Sequence, residues 1–498
     1  MTKFANSKPR LFMLGIDSMS MPFAQEHLDR LPTLSRLLDR GKLIPLKTPA
    51  TYLSAAVWPT FSSGKHPGFH GQYYPMQFDP GAQRFRKISN PIWSDTLRVE
   101  PFWYDLARNG VETIMFDIPH IFKDANAPCL QIINYSAQSF GTSSSSKPEV
   151  LKQLWRRFGR RPIGAEVPLP KNRQQCQAIT DRMIHAVRAK TDAILYLMDR
   201  PWDLFLCCQS EVHRAGHNLW PVEGDVASEA APDALLNIYI EADRQLARVI
   251  DKLESIDPDA NLVLFALHGL EPNRVQDHFL SEILNRLNRL YLGLPFDRRT
   301  EPRSPNLFAW LRQRIPFRLQ YRAAQLLGEH VQDWFVNRCL VGGRDWQSTP
   351  AFPILSGGEG LIRFNIKGRE RDGFFEPGSQ ALHDYSAWLR DRLLAIRVHG
   401  TDVPLVAEVV ELDQVYNGPR SDLLPDLAVQ WAPEAPVDRI FSDDIGEIQT
   451  RLATGRGGNH NDLAFLISVG DAEFCSAAGK AESIMDFAGL ATSYYGRA

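Results

Sequence analysis

Four short apolar runs do most to limit what this chain can fold into: RLFMLGID (10–17), ETIMFDIP (112–119), DLFLCCQS (203–210) and NLVLFALHG (261–269). None shows the strict polar alternation of a strand with one wet face, and each reads as a strand covered on both faces. Helical patterns lie between them, at LPTLSRLLDRG (31–41), FWYDLARNG (102–110) and residues 234–256. In the last of these, Leu235, Ile238, Ile240, Leu246, Val249, Ile250 and Leu253 recur at helical spacing. Strand alternating with helix predicts an α/β fold, a doubly wound and mostly parallel sheet flanked by helices. Such sheets gather their functional groups beyond the carboxyl ends of the strands. Asp17, His213 and His268 stand at or just past such ends.

At 498 residues the chain exceeds one small core. From 276 to 350 the texture changes to amphipathic stretches rich in Arg, Leu and Trp, which predict a helical insertion or cap. The α/β character returns at 358–378 and 423–433. The expected organisation is therefore an α/β core from residues 1–275 and 351–498, interrupted by the insertion.

Charge and hydropathy narrow the function class. The formal net charge of −2 gives no global field toward nucleic acid or an anionic membrane. The local run Arg156, Arg157, Arg160 and Arg161 reads as a solvated helix face. No apolar stretch reaches 18 residues, and the N-terminal run before Asp17 is too short for a secretory signal. The six cysteines have no CxxC spacing, as expected of free thiols in a cytoplasmic protein. The partner expected is a small-molecule substrate, anionic in character, with no nucleic acid and no membrane. No sequence feature specifies an oligomeric state.

The chemistry-bearing residues come in three groups. His213 and His217, in EVHRAGH (211–217), are four apart, so one helical turn puts both imidazoles on one face. Two neutral nitrogens converging in this way suit a transition metal. His460, in the glycine-rich GRGGNHND (455–462), supplies a third candidate, and three imidazoles with one open position form a known catalytic zinc arrangement. The stretch TYLSAAVWPTFSSGKHPGFHG (51–71) places the Ser54 hydroxyl at the start of a helix, where it caps the helix or stands beside backbone amides that favour an anion.

Taken in order, these motifs resemble the alkaline phosphatase superfamily, and within it the type I phosphodiesterase and nucleotide pyrophosphatase branch and its bacterial relatives. The resemblance rests on LGID with Asp17, on Ser54 ten residues before Gly64, on SEVHRAGHNLW (210–220), on FALHG (265–269) and on GGNH with His460. It implies two zinc-like ions a few ångströms apart. One would be held by Asp17, the Ser54 nucleophile and His268, the other by His213, His217 and His460.

Two departures fall on that implied ligand set. His213 stands where the family's Asp-x-x-x-His motif has its Asp, and Leu267 stands where its Asp-His-Gly strand has an Asp. Pro75 also replaces an Asn common among nucleotide pyrophosphatases. The first change keeps a ligand and the second removes one, so the expectation is one well-occupied site. Zinc is expected first, and iron, manganese or cobalt would also accept such ligands. Three functions follow: a metal-dependent phosphoester or phosphodiester hydrolase or transferase, a mononuclear metalloenzyme of a biosynthetic pathway doing non-phosphoryl chemistry, or a non-catalytic ligand-binding relative.

Overall fold

The computed structural model describes residues 8–88, 93, 96–136, 142–163, 169–222, 224–296, 334, 337, 338, 340–450 and 456–496. The described chain divides into two compact units. The first comprises residues 1–66, 94–272 and 456–498, and the second residues 67–93 and 273–455.

The four apolar runs become the strands Leu11–Ile16, Thr113–Phe116, Leu204–Gln209 and Asn261–Ala266. All lie in one eight-stranded sheet of the first unit. Its order is Lys42–Leu46, Ala464–Val469, Asn261–Ala266, Leu11–Ile16, Leu204–Gln209, Thr113–Phe116, Leu130–Ile133 and Ser144–Ser145. The five strands from Asn261–Ala266 to Leu130–Ile133 run parallel, and Ala464–Val469 is antiparallel to both its neighbours. The sequence expectation of a mostly parallel sheet flanked by helices is met.

Period-two packing explains the continuous apolar runs. Phe12, Leu14 and Ile16 enter one core, with the helices Pro32–Arg40, Arg173–Met198 and Ala234–Ile256. Leu11 and Met13 enter the other, with Val57–Ser63, Phe102–Arg108 and Asp486–Tyr494. Both faces are dry, so every side chain of the strand contributes, at about 1.5–3 kcal/mol for each large apolar residue. The same alternation carries Val263, Phe265 and Leu267 into the second of these cores.

The second unit has its own core around the helices Leu280–Tyr291 and Gln380–Leu394. Its main sheet is four-stranded and antiparallel, in the order Ala351–Pro353, Gly360–Phe364, Leu427–Trp431 and Val406–Glu411. The two stretches read as returning α/β texture thus pair with each other in this sheet, and Pro75 belongs to this unit. Of the expected 276–350 insertion, Leu280–Tyr291 is helical, and residues 297–333 lie outside the described residues. Among the described residues no helix is long and apolar enough to cross a membrane, and Cys129, Cys176, Cys207, Cys208 and Cys475 are free thiols.

Candidate metal centre

Sheet register assembles the site. Gly15 pairs with Cys208 on one side and Phe265 on the other, so Asp17 emerges alongside Ser210 and Leu267 at the carboxyl edge. The chain then turns from Ser210 into the helix Glu211–Leu219, which carries His213 and His217. A short antiparallel pair, Gly269–Pro272 with Gly458–Asn461, sets Leu270 opposite His460. Two glycines permit the close approach. A Cβ on Gly216 would lie 2.3 Å from Leu270 Cδ1, and one on Gly458 would lie 2.7 Å from the Gly216 carbonyl oxygen.

The result is a convergence of three imidazoles. His213 Nε2 lies 2.9 Å from both His217 Nε2 and His460 Nε2. Among the described residues His213, His217 and His460 form the group able to hold a metal, with ligand atoms within 4.8 Å of one another. Each ring's other nitrogen has a partner. His213 Nδ1 meets Asp17 Oδ2 at 2.6 Å, His217 Nδ1 meets the Gly458 carbonyl oxygen at 2.9 Å, and His460 Nδ1 meets Ser54 Oγ at 3.2 Å. Asp17 and Gly458 can only accept, which fixes the Nδ1–H tautomer for His213 and His217 and leaves their Nε2 lone pairs facing inward. Desolvation, together with Arg456 and neighbouring imidazoles, holds His217 well below its ordinary pKa, and desolvation with the neighbouring imidazoles does the same for His460. Neutral lone pairs that close repel one another unless a cation sits among them. The donor set and its outer hydrogen bonds therefore fit a transition metal.

Asp17 and His268 lie outside that group. Asp17, 1% exposed, accepts from Trp58 Nε1 at 3.0 Å on Oδ1 and from His213 on Oδ2. His268 is buried against Ser18 Oγ at 3.2 Å and the Gly269 carbonyl oxygen at 3.2 Å, with Nε2 3.7 Å from Asp17 Oδ1. Burial lowers its pKa to about 4, against the opposing pull of Asp17. Ser54 begins a short 3-10 turn, Ser54–Ala56, that leads into the helix Val57–Ser63.

Sequence reasoning missed several neighbours. His120, at φ 58°, has its pKa lowered to about 4 by burial, with Asp17, His213 and His268 close enough to act on it. It follows the strand Thr113–Phe116, so the strand-end rule that singled out Asp17 also applies to it. Lys190 is fully buried, 2.7 Å from Asp117, 3.2 Å from Ser210 Oγ and 4.0 Å from Glu211. Burial disfavours its charge, but Asp117 and Glu211 outweigh that and hold its pKa above the ordinary value. Lys190 thereby ties the end of one strand to the first residue of the histidine-bearing helix. Its signal in the sequence was a lysine on the apolar stripe of Ala186, Val187 and Ile194.

Residues 11–338 match the profile of the type I phosphodiesterase / nucleotide pyrophosphatase family. The chain belongs to that family. No curated protein matches it in sequence. Among solved structures it is similar to the phosphonoacetate hydrolase of Sinorhizobium meliloti 1021 in complex with phosphonoacetate, at 14% identity and a TM-score of 0.49, over 98% of this chain and 96% of that one. It is also similar to murine ectonucleotide pyrophosphatase / phosphodiesterase 5 in complex with AMP, at 11% identity and a TM-score of 0.47, over 99% of this chain and 96% of that one. As a type I phosphodiesterase family member the chain stands among hydrolases of phosphoesters.

Proposed function

We propose that this phosphodiesterase-family chain is a metal-dependent hydrolase of a phosphoester or phosphodiester, with Ser54 as nucleophile and one divalent cation on His213, His217 and His460. The observation that carries the reading is the hydrogen bond between His460 Nδ1 and Ser54 Oγ, 3.2 Å long. With Nε2 of His460 turned to the cation, its Nδ1–H donates to Ser54 Oγ and stabilises negative charge developing there. A bound zinc-type ion would supply Lewis-acid stabilisation of phosphoryl charge. Ser54 Oγ forms the new bond to phosphorus while the bond to the leaving oxygen breaks, and that oxygen leaves with the proton Ser54 gives up. Water then attacks phosphorus, the Ser54–phosphorus bond breaks, and Ser54 regains a proton. The positive charges of Arg214 and Arg456, which act on His217, favour an anionic substrate.

The test is turnover of a panel of phosphate monoesters, phosphate diesters and phosphonates by protein loaded with Zn²⁺, Mn²⁺, Co²⁺ or Fe²⁺. Hydrolysis that disappears in Ser54→Ala is expected, and failure across the panel with every metal would overturn the reading. A second reading draws on Leu267, which leaves an apolar side chain, 0% exposed, at the strand end. There the chain is a mononuclear metalloenzyme using its metal for non-phosphoryl chemistry. Purified protein carrying iron and inert toward the whole panel would select it.

A further inference from the structure

The two departures from the family pattern, His213 and Leu267, lie on opposite sides of Asp17, and the geometry links them. An imidazole is longer than a carboxylate. At position 213 it spans from Asp17, through Nδ1 at 2.6 Å, to the other two histidines, through Nε2 at 2.9 Å. We propose that Asp17 is a positioning residue for His213 and not a metal ligand, so that the chain holds a single divalent cation and no second ion beside His268. The inference rests on the three-histidine site of the proposed function but not on the reaction assigned to it.

Both Asp17 oxygens accept hydrogen bonds inside a buried site, Oδ2 from His213 and Oδ1 from the Trp58 indole N–H at 3.0 Å. These two donors fix how the carboxylate is turned, with Oδ2 aimed at position 213. Leu267, 0% exposed, packs in the apolar core with Val263 and Phe265 and offers no lone pair. His268 is held by Ser18 and the Gly269 carbonyl oxygen, and no third carboxylate, thiol or imidazole forms a ligand group with it and Asp17 among the described residues. The exchange also makes electrostatic sense. Three neutral imidazoles leave the charge of a dication unbalanced, and a carboxylate on the far nitrogen of one ligand raises that ligand's basicity and returns negative charge to the site.

The experiment is metal counting and Zn²⁺ affinity by elemental analysis and calorimetry on the full chain. It compares wild type, Asp17→Asn, His213→Asp and the double variant, with the absorption bands of the Co²⁺ form as a second readout. Wild type should bind one ion. Asp17→Asn should still bind one, about 10–100-fold more weakly, with shifted Co²⁺ bands. In the His213→Asp background, where position 213 keeps a ligand but has no Nδ1–H to offer, Asp17→Asn should cost less than about 2-fold. A structural role for Asp17 would predict the same penalty in both backgrounds and would overturn the proposal. Two ions per wild-type chain, or an Asp17→Asn variant that loses one ion while the other binds unchanged, would also overturn it. One ion with no phosphoesterase activity would sink the proposed reaction and leave this inference standing.

Discussion

The two sides of the site are built from the same types of group and behave differently. Around His217 and His460, each ring has its outer nitrogen held by a partner and its inner nitrogen aimed at a common point. On the other side, Ser18 Oγ meets His268, Asp17 accepts from Trp58 and pairs with His213, and the wall beside them is Leu267. Both sides contain histidine, with His217 and His268 buried and His213 and His460 partly so. What separates them is convergence: His213, His217 and His460 bring three ligand atoms within 4.8 Å of one another, and among the described residues no such group of three forms around Asp17 and His268. Having the residue types of a metal site is therefore a weaker condition than having their lone pairs converge.

Four experiments would break or sharpen that contrast. The largest effect is expected for Ser54→Ala, with turnover falling by several orders of magnitude (on the order of 10⁶ for a serine nucleophile) while the metal count, by elemental analysis, stays at one. Loss of the ion along with turnover would move Ser54 from reactant to scaffold. Next comes the paired comparison of His217→Ala with His268→Ala in Zn²⁺ titrations. The first should weaken binding by at least about 100-fold, beyond what loss of an outer hydrogen-bond partner costs, and the second should leave it within a few-fold. Equal losses would erase the distinction between the two sides.

Leu267→Ala should lower the free energy of unfolding in denaturant by about 2–5 kcal/mol, as truncation of a buried leucine does, with Zn²⁺ affinity unchanged. An affinity change would mean that the apolar wall shapes the metal site after all. The smallest effect is the pH dependence of the metal-free protein. His268 and His120 are held near pKa of about 4 by burial, below the unfolded value near 6.5. Between those values the unfolded chain binds protons that the folded chain does not, so stability is complete above about pH 6.5 and falls as pH drops toward 4. Thermal melts of His268→Gln should show a shallower decline across that window, and an unchanged slope would place the proton uptake elsewhere.

Much of this could be read before any coordinates. The four central strands were legible because a strand dry on both faces is apolar along its length, as Leu11 to Ile16 and Leu262 to Ala266 are. His213 and His217 were legible because four residues make one helical turn. The resemblance to the family pointed to Ser54, His460 and Asp17. Less visible were the residues whose importance comes from a distant partner. Trp58 reads as an ordinary core aromatic until its indole N–H is found on Asp17. Lys190 reads only as a lysine misplaced on an apolar stripe until Asp117 and Ser210 are found around it.

By itself, the sequence determined the alternation of strand and helix, the pair of imidazoles on one helical face, and the absence of a ligand at position 267. Those are local matters, settled by side-chain period and chemical type. Only the tertiary structure decided which nitrogens meet. His460 reaches His213 because Gly458–Asn461 pairs with Gly269–Pro272 across nearly 190 residues of sequence, at a spacing that Gly216 and Gly458 leave clear. Asp17 faces His213 because the register of two parallel strands brings their ends level. No local pattern encodes such a meeting, since the free energy that fixes it is spread over the whole packed sheet.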